Sequence, residues 1–399
     1  MIKTVLALSL SALVAGCTFK GFRLPPDAAL DWKLCNERSI YPAIHTPPTA
    51  SDEEQREMLK QMGLRDKRKD DDMFSCGYNP IAGAGREADA CVRKKGWYVW
   101  RNDIFPENKI YEQIIKDLEE AIPYLQSSNK GAFKATKGAA NALLAKVYAT
   151  QGAKSARNYN KVVELCNNVI ADGYSLVNNF DDLWNPANKF TSESIFEVYY
   201  DATSPNWAFW VLFSEEDGSI TWKRYCTPTH NLIAKYTSAD KRFDSTIAYK
   251  SVPYDTYFPA NRYPIANKIR QKDGNIILMR LADVLLLKAE ALVELNRTSE
   301  AMTIVNTIRN RAGLAPLSTS MAKTEAQEAV ENERQLELAL EGQRWYDLLR
   351  NDRMIAVMTQ HTDRNGRLLF PILASFHKLW PIPQSEKDSN KNLTQNPGY

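Results

Sequence analysis

The chain has 399 residues, of which 44% are hydrophobic and 25% charged, and its formal net charge is +3. With a mean hydropathy of −0.44 it has the make-up of a water-exposed body with a large core, and on length it has room for more than one domain. The 51 basic and 48 acidic residues do not separate into a basic stripe, which removes the electrostatic basis for nucleic-acid binding.

The N-terminus reads as a targeting segment. Lys3 supplies a positive start, and Thr4 to Val14 is an apolar run of roughly eleven residues, too short for the about 20 needed to span a bilayer. It ends in Leu13-Val14-Ala15-Gly16-Cys17, small residues before a cysteine whose thiol is expected to accept a lipid. Residues 1–16 are therefore expected to be a lipoprotein signal peptide, with the mature protein tethered by acyl chains through Cys17 and not spanning the membrane. Removing Cys17 leaves Cys35, Cys76, Cys91, Cys166 and Cys226. Cys76 and Cys91 are close enough in sequence for a disulfide in an oxidising compartment, whereas Cys166 falls on an apolar helix face and reads as a buried thiol. No cysteine or histidine spacing matches a metal site, so no metal or other cofactor is expected.

Residues 17–103 form an atypical N-terminal region. Their one weak helical candidate is Asp52 to Met62, and Lys67 to Asp72 (KRKDDD) is a self-neutralising, solvated run. The region closes on Trp97, Tyr98 and Trp100, followed by Arg101, Asn102 and Asp103. Rings beside amide, guanidinium and carboxylate groups suit a sugar, whose C–H faces stack on aromatics and whose hydroxyls need polar partners.

Helical periodicity dominates residues 104–173. Ile110, Ile114, Ile115, Leu118 and Ile122 predict a helix over Ile110 to Leu125, and further helices follow over Ala139 to Gln151 and Ala156 to Ile170, stopped by Gly152 and Gly173. The same architecture returns in residues 276–351, with helices predicted over Ile276 to Leu295, Ser299 to Arg311 and Thr324 to Asn351. Leu143-Leu144 aligns with Leu285-Leu286, and Val162-Val163 with Ile304-Val305, at one offset of 142 residues. Each pair is a helical hairpin of tetratricopeptide size, and such hairpins bury their apolar faces only by stacking.

Between the hairpins, residues 174–275 are rich in Tyr, Trp, Phe, Pro, Asn and Thr. Ser194 to Asp201 (SIFEVYYD) predicts a strand and the remainder loops. Three aromatic groups stand out: Trp207, Phe209 and Trp210; Trp222 and Tyr225; Tyr254 and Tyr257. Trp207, Trp210, Trp222 and Tyr225 join Trp97, Tyr98, Trp100 and Asn102 as candidate ligand contacts, with plain packing the competing reading for each ring. Residues 352–399 end in a Pro- and Asn-rich tail, expected to be an extended strap without regular helix.

Glu333, Glu337 and Glu341 recur every four residues, and Arg334, Arg344 and Arg350 accompany them. Paired carboxylates are the equipment of glycoside hydrolysis. Ion pairing that fixes a helix in the fold, with Arg344 meeting Asp347 at i,i+3, accounts for them more simply. The same holds for Arg280 with Asp283, while Arg309 and Arg311 read as helix C-terminal charges. Trp345 and Tyr346 are expected in the core.

The stretch from Glu333 to Leu348 follows the pattern E-R-x-x-E-L-x-x-E-G-x-R-W-x-D-L, which resembles the signature helix of the SusD/RagB family. Lys137 to Tyr148 (KGAANALLAKVY), Arg280 to Leu292 (RLADVLLLKAEAL), Val305 to Leu314 (VNTIRNRAGL) and the closing Trp380-Pro381-Ile382-Pro383 to Gln395-Asn396-Pro397-Gly398-Tyr399 resemble further blocks of the same family, in order. The N-terminal region departs from it, lacking the additional helices that members carry there and the acidic run that often follows the lipidated cysteine.

The resemblance implies a mainly α fold, with stacked tetratricopeptide-like hairpins beside an irregular, loop-rich second lobe formed by the 174–275 insertion. It implies a cell-surface lipoprotein of the outer membrane that binds glycan without catalysis. Such a protein passes oligosaccharide to a SusC-like TonB-dependent transporter. Two other readings stay open at this point: a structural lid for the transporter with a non-glycan or no ligand, and a lipid-anchored glycosidase.

Overall fold

A computed structural model describes residues 107–127, 134–206, 208, 227–252, 257–259, 261–390 and 392–399. The chain divides into two compact units, one of residues 1–18 and 110–379, the other of residues 19–109 and 380–399.

The first unit is built on helices in the predicted places. After α1 (Glu107–Ala121), α2 (Lys137–Thr150) and α3 (Tyr159–Ala171) make the first hairpin, and α6 (Leu281–Glu294) and α7 (Thr298–Arg311) the second. α2 starts where the Thr136 hydroxyl accepts the Ala139 N–H at 3.1 Å, and α3 where the Asn158 amide oxygen accepts the Lys161 N–H at 3.1 Å. Each cap satisfies an N–H that the helix itself leaves open. Gly152 ends the α2 turn at φ 61° and Gly313 the α7 turn at φ 77°, a conformation that costs glycine no Cβ clash.

The hairpins stack as the repeat requires. α3 packs on α6, and α8 (Lys323–Glu337) packs on both α6 and α7. Leu144, Val162, Cys166, Leu286, Leu292, Val305 and Ile308 fill one continuous core. Each fully buried Leu, Val or Ile side chain contributes about 1.5–3 kcal/mol through burial. The Cys166 thiol is free and wholly buried, and burial pushes it up to about 12.

Two sequence expectations about these helices change. The segment Ile276–Arg280 is not the first turn of α6 but a strand, β4, antiparallel to β1 (Ser194–Val198), with Val198 opposite Ile276 and Ser194 opposite Arg280. Consecutive isoleucines favour the pleated surface over a helix. The predicted helix from Thr324 to Asn351 is also two: α8 stops at Glu337, and α9 (Arg344–Arg350) begins after a turn in which Leu340 takes φ 64° and Gly342 φ 76°.

The insertion therefore leaves the helical layer next to β1 and returns on β4, so that one two-stranded ribbon holds both its ends. Inside it lie the short helices α4 (His230–Ile233) and α5 (Phe243–Thr246) and a second ribbon, β2 (Ile247–Lys250) with β3 (Tyr263–Ala266). Tyr236, Ile247 and Leu336 form a small core beneath that ribbon. α10 (Met354–Met358) follows α9.

The C-terminal stretch is not one strap. Residues 352–379 belong to the first unit and residues 380–399 to the second. Within the second, α11 (Gln384–Ser389) forms directly after Pro383, whose ring-fixed φ suits the position ahead of a helix. The Gln395 side chain holds both the N–H and the carbonyl of Ile382, at 2.7 and 3.0 Å. Among the described residues no helix is long and apolar enough to cross a membrane.

Candidate functional site

The sequence candidates Trp97, Tyr98, Trp100, Asn102, Trp207, Trp210, Trp222 and Tyr225 lie outside the described residues, as do Cys17, the pair Cys76 and Cys91, and the helical candidate Asp52 to Met62. Tyr257, the described member of the third aromatic group, leads to the site.

Alternation along the β2–β3 ribbon sorts its aromatics. Tyr249 lies opposite Pro264, and on that face the Arg262 guanidinium sits 4.6 Å from the Tyr249 ring centre. Lys250 lies opposite Tyr263, and a run of rings starts on that second face. Tyr263 is buried and meets Phe258 edge-on at 5.2 Å; Phe258 meets Tyr257 edge-on at 4.9 Å. The run thus goes from the core to the surface, where Tyr257 is 38% exposed. At its inner end the Tyr263 hydroxyl shares a 2.6 Å hydrogen bond with the Thr227 hydroxyl, two residues after Tyr225.

A hairpin fixes the outer end. Thr362 and Leu368 form an antiparallel bridge, and the Asp363 carboxylate accepts the Asn365 and Arg367 N–H groups at 2.8 and 2.9 Å. The next residue, Arg364, donates its backbone N–H to the Tyr257 hydroxyl at 2.9 Å and lays its guanidinium 4.8 Å from the ring centre. At the hairpin's base the Thr362 hydroxyl lies 3.4 Å from the Asn231 amide nitrogen and 3.5 Å from His230 Nε2. His361 packs against Phe370, and burial, followed by the charge of His230, holds its pKa below the ordinary value. Leu368, Leu369 and Phe370 are exposed. The result is a partly exposed ring held by the Arg364 N–H and guanidinium on the hairpin and by Phe258 beneath. Asn365-Gly366, a strong turn signal, marks this hairpin in the sequence, within the tail expected to be extended.

The signature carboxylates belong to a buried ion cluster that supports this lobe. Arg242, at the start of α5, donates to Asp240 at 2.8 Å, Glu333 at 2.7 Å and Glu337 at 3.0 Å. Arg280 reaches Glu337 at 2.6 Å and Glu193 and Glu341 at 2.8 Å. Arg311 pairs with Glu193 at 2.5 Å and also with Glu337, and Arg309 with Glu333 at 3.3 Å. Lys268 pairs with Glu341 at 2.6 Å. The carboxylates of Glu193, Asp240, Glu333, Glu337 and Glu341 thus balance the cations of Arg242, Lys268, Arg280, Arg309 and Arg311. Phe180 and Trp184 cover one side, with Lys268 5.2 and 4.7 Å from their ring centres. Burial would push the Glu337 carboxyl up, but Arg311, Arg280 and Arg242 together hold it well below the usual range.

A second neutral cluster locks the helices. Arg334 joins Asp283 and Asp347 at 2.9 Å, Arg350 joins Glu290 at 2.8 Å and Asp347 at 2.7 Å, and Lys146 joins Asp283 at 2.5 Å. Structural pairing is therefore the right account of these residues, but several partners differ from expectation. Arg344 pairs with Glu331, not Asp347; Arg280 and Asp283 serve different clusters; Arg311 stands in the last turn of α7 as expected, but its side chain is also a hub of the first cluster. The spacing of four put the glutamates on one face, but the arginines that meet them come from α5, β4 and α7, which no local pattern could show. Trp345 and Tyr346 are half-buried in the first turn of α9, not in the core.

Stacked tetratricopeptide-like hairpins with a loop lobe carried on a ribbon define a mainly α, repeat-built class of fold. The chain belongs to the SusD/RagB family: the SusD family model matches residues 252–399. SusD-like protein P2 of Formosa agariphila is 30% identical over 341 residues, 74% of this chain and 66% of the relative, so the chain spans just under two thirds of that relative's length. A solved laminarin binding SusD-like protein is 27% identical with a TM-score of 0.57, over 73% of this chain and 69% of its own. A SusD superfamily protein of Parabacteroides distasonis matches 100% of this chain and 99% of its own, at a TM-score of 0.62 and 23% identity. The mainly α fold with tetratricopeptide-like repeats is that of these structures.

Proposed function

We propose that the chain is a non-catalytic glycan-binding protein that captures oligosaccharide on its loop lobe and hands it to a SusC-like TonB-dependent transporter. It is tethered to the outer membrane through lipid on Cys17, on the cell surface. The observation that carries the reading is Tyr257, an exposed ring held by Arg364 and Phe258. Such a ring takes a pyranose C–H face without first losing side-chain freedom. The laminarin-binding relative supports glycan as the ligand class. The signature glutamates argue against hydrolysis, because Glu333 and Glu337 are buried and all three are ion-paired within the fold.

An affinity-gel and glycan-array screen of the protein beginning after Cys17, with Tyr257→Ala, Trp222→Ala and Trp97→Ala alongside, tests this reading. Polysaccharide binding weakened in Tyr257→Ala supports it. Absence of binding to every glycan, with the transporter still co-purifying, replaces it with the structural-lid reading.

A further inference from the structure

The hairpin that carries Arg364 runs on into an apolar ribbon. Leu368, Leu369 and Phe370 are exposed, and Ile372 is 85% exposed, so four large apolar side chains within five residues meet solvent. Both ends of the ribbon are fixed. At its start Leu368 bridges to Thr362, and the Leu369 N–H donates to the His361 carbonyl at 2.8 Å. Just beyond its end, His377 turns the chain: its Nδ1 accepts the Ala374 N–H at 3.0 Å, and its own N–H donates to the Ala374 carbonyl at 3.1 Å. A segment tied down in this way loses little further freedom when its side chains are covered. Contiguous exposed apolar side chains mark contact with a protein or a membrane.

The charge around the ribbon distinguishes the two. From Arg364 to Leu379 the sequence carries Arg364, Arg367 and Lys378 and no acidic residue. Arg364 lies over Tyr257, and Lys378 pairs with Asp352 at 2.9 Å. Arg367 is exposed and has no ion pair among the described residues. Asp363, just before the stretch, accepts the N–H groups of its own turn. Apolar side chains rimmed by cations fit an anionic lipid surface: the side chains enter the boundary below the headgroups, and the cations stay among the phosphates. A second copy of the chain fits poorly, because it would set Arg367 against its own like charges. Strand addition by a protein also fits poorly, because Pro371 lacks the N–H that a pairing strand would bond.

We propose that the ribbon from Leu368 to Ile372, with Arg367 beside it, is a contact surface for an anionic membrane. This rests on the reading above only in that lipid on Cys17 brings the body to a membrane. The ribbon is a weak, reversible second hold that sets how the tethered body lies on the lipid.

The test sediments the unlipidated protein, as Cys17→Ala, with vesicles of equimolar phosphatidylcholine and phosphatidylglycerol and with vesicles of phosphatidylcholine alone. Ile372→Ser, Arg367→Glu and Tyr124→Ser are measured in the same background. Tyr124, 80% exposed in the turn after α1, is the control for an exposed ring outside the ribbon. Binding is expected on the anionic vesicles only and is expected to weaken with added salt. Ile372→Ser and Arg367→Glu are each expected to weaken it roughly fivefold, at an unchanged melting temperature, and Tyr124→Ser to leave it unchanged. No binding to the anionic vesicles, or binding that the ribbon variants lose no more than Tyr124→Ser, overturns the membrane contact and leaves the Cys17 anchor and the glycan reading standing. A dimer that Ile372→Ser dissolves, or transporter co-purification lost in that variant without any vesicle binding, overturns it in favour of a protein occupant.

Discussion

Arg280 donates through Nη1 to Glu337 Oε1 at 2.6 Å, with both side chains at most 1% exposed. Arg280 ends β4, the strand on which the loop lobe returns, and Glu337 ends α8, so this pair ties the loop lobe to the helical layer. Removing one member leaves the other charge buried without its partner, which costs about 3–5 kcal/mol. Glu337→Ala, which takes one carboxylate from Arg242, Arg280 and Arg311 together, is expected to lower unfolding free energy by that amount in urea titration. A change below about 1 kcal/mol would show that the cluster behaves like surface pairs.

Acid should dissolve the second cluster. Burial raises the Glu290 carboxyl, but Arg350 more than reverses this and sets it at about 2, below the ordinary 4.5. A depressed carboxylate contributes stability that is present above about pH 4.5 and lost as pH falls through about 2. Wild type is expected to lose stability across that window more steeply than Glu290→Gln, as followed by circular dichroism. Parallel acid profiles would contradict the assignment.

Lys268 titrates in the opposite range. Burial, against the pull of Glu341, lowers its ammonium to about 8 from 10.5. Between those values the unfolded chain binds more protons than the folded one, so this group's contribution to stability rises with pH. The stability of wild type relative to Lys268→Met is therefore expected to grow between about pH 8 and 10.5. A difference that stays flat there would place the ammonium in a wetter site than the one seen.

Gly138 carries a packing prediction. A Cβ built there would lie 2.5 Å from a Tyr174 ring carbon and 2.7 Å from its hydroxyl, which bonds Thr136, the α2 cap. Gly138→Ala is expected to destabilise by about 1–3 kcal/mol despite the better helix propensity of alanine. A rise in melting temperature would contradict this.

The proposed lipid anchor is separable from folding. Cys17→Ala is expected to move the expressed protein out of the membrane fraction with its melting temperature unchanged. Retention in the membrane fraction would remove the lipid anchor from the account.

Much of the helical layer was legible in the chain. Leu144 and Leu286, at equivalent places in the repeat, are both buried in the stacked core. Periodicity works there because each helix presents one face to one neighbour. It failed at Ile276–Arg280, where an apolar run serves as a strand, and at Leu338–Gln343, where Leu340 accepts a left-handed backbone that no periodicity announces. The site was less legible for the same reason. Tyr257 is held by Arg364, more than a hundred residues later, a contact that no local spacing joins. Such partnerships are set by tertiary placement and not by spacing.

The central claim is that the loop lobe binds glycan through its exposed, locked aromatics. The most direct measurement is isothermal titration of the screened polysaccharide into wild type and Tyr257→Ala, with melting curves for both. The account predicts measurable binding by wild type and at least a severalfold loss in the variant at an unchanged melting temperature. Equal binding by the two proteins, or none by wild type to any glycan, would contradict it.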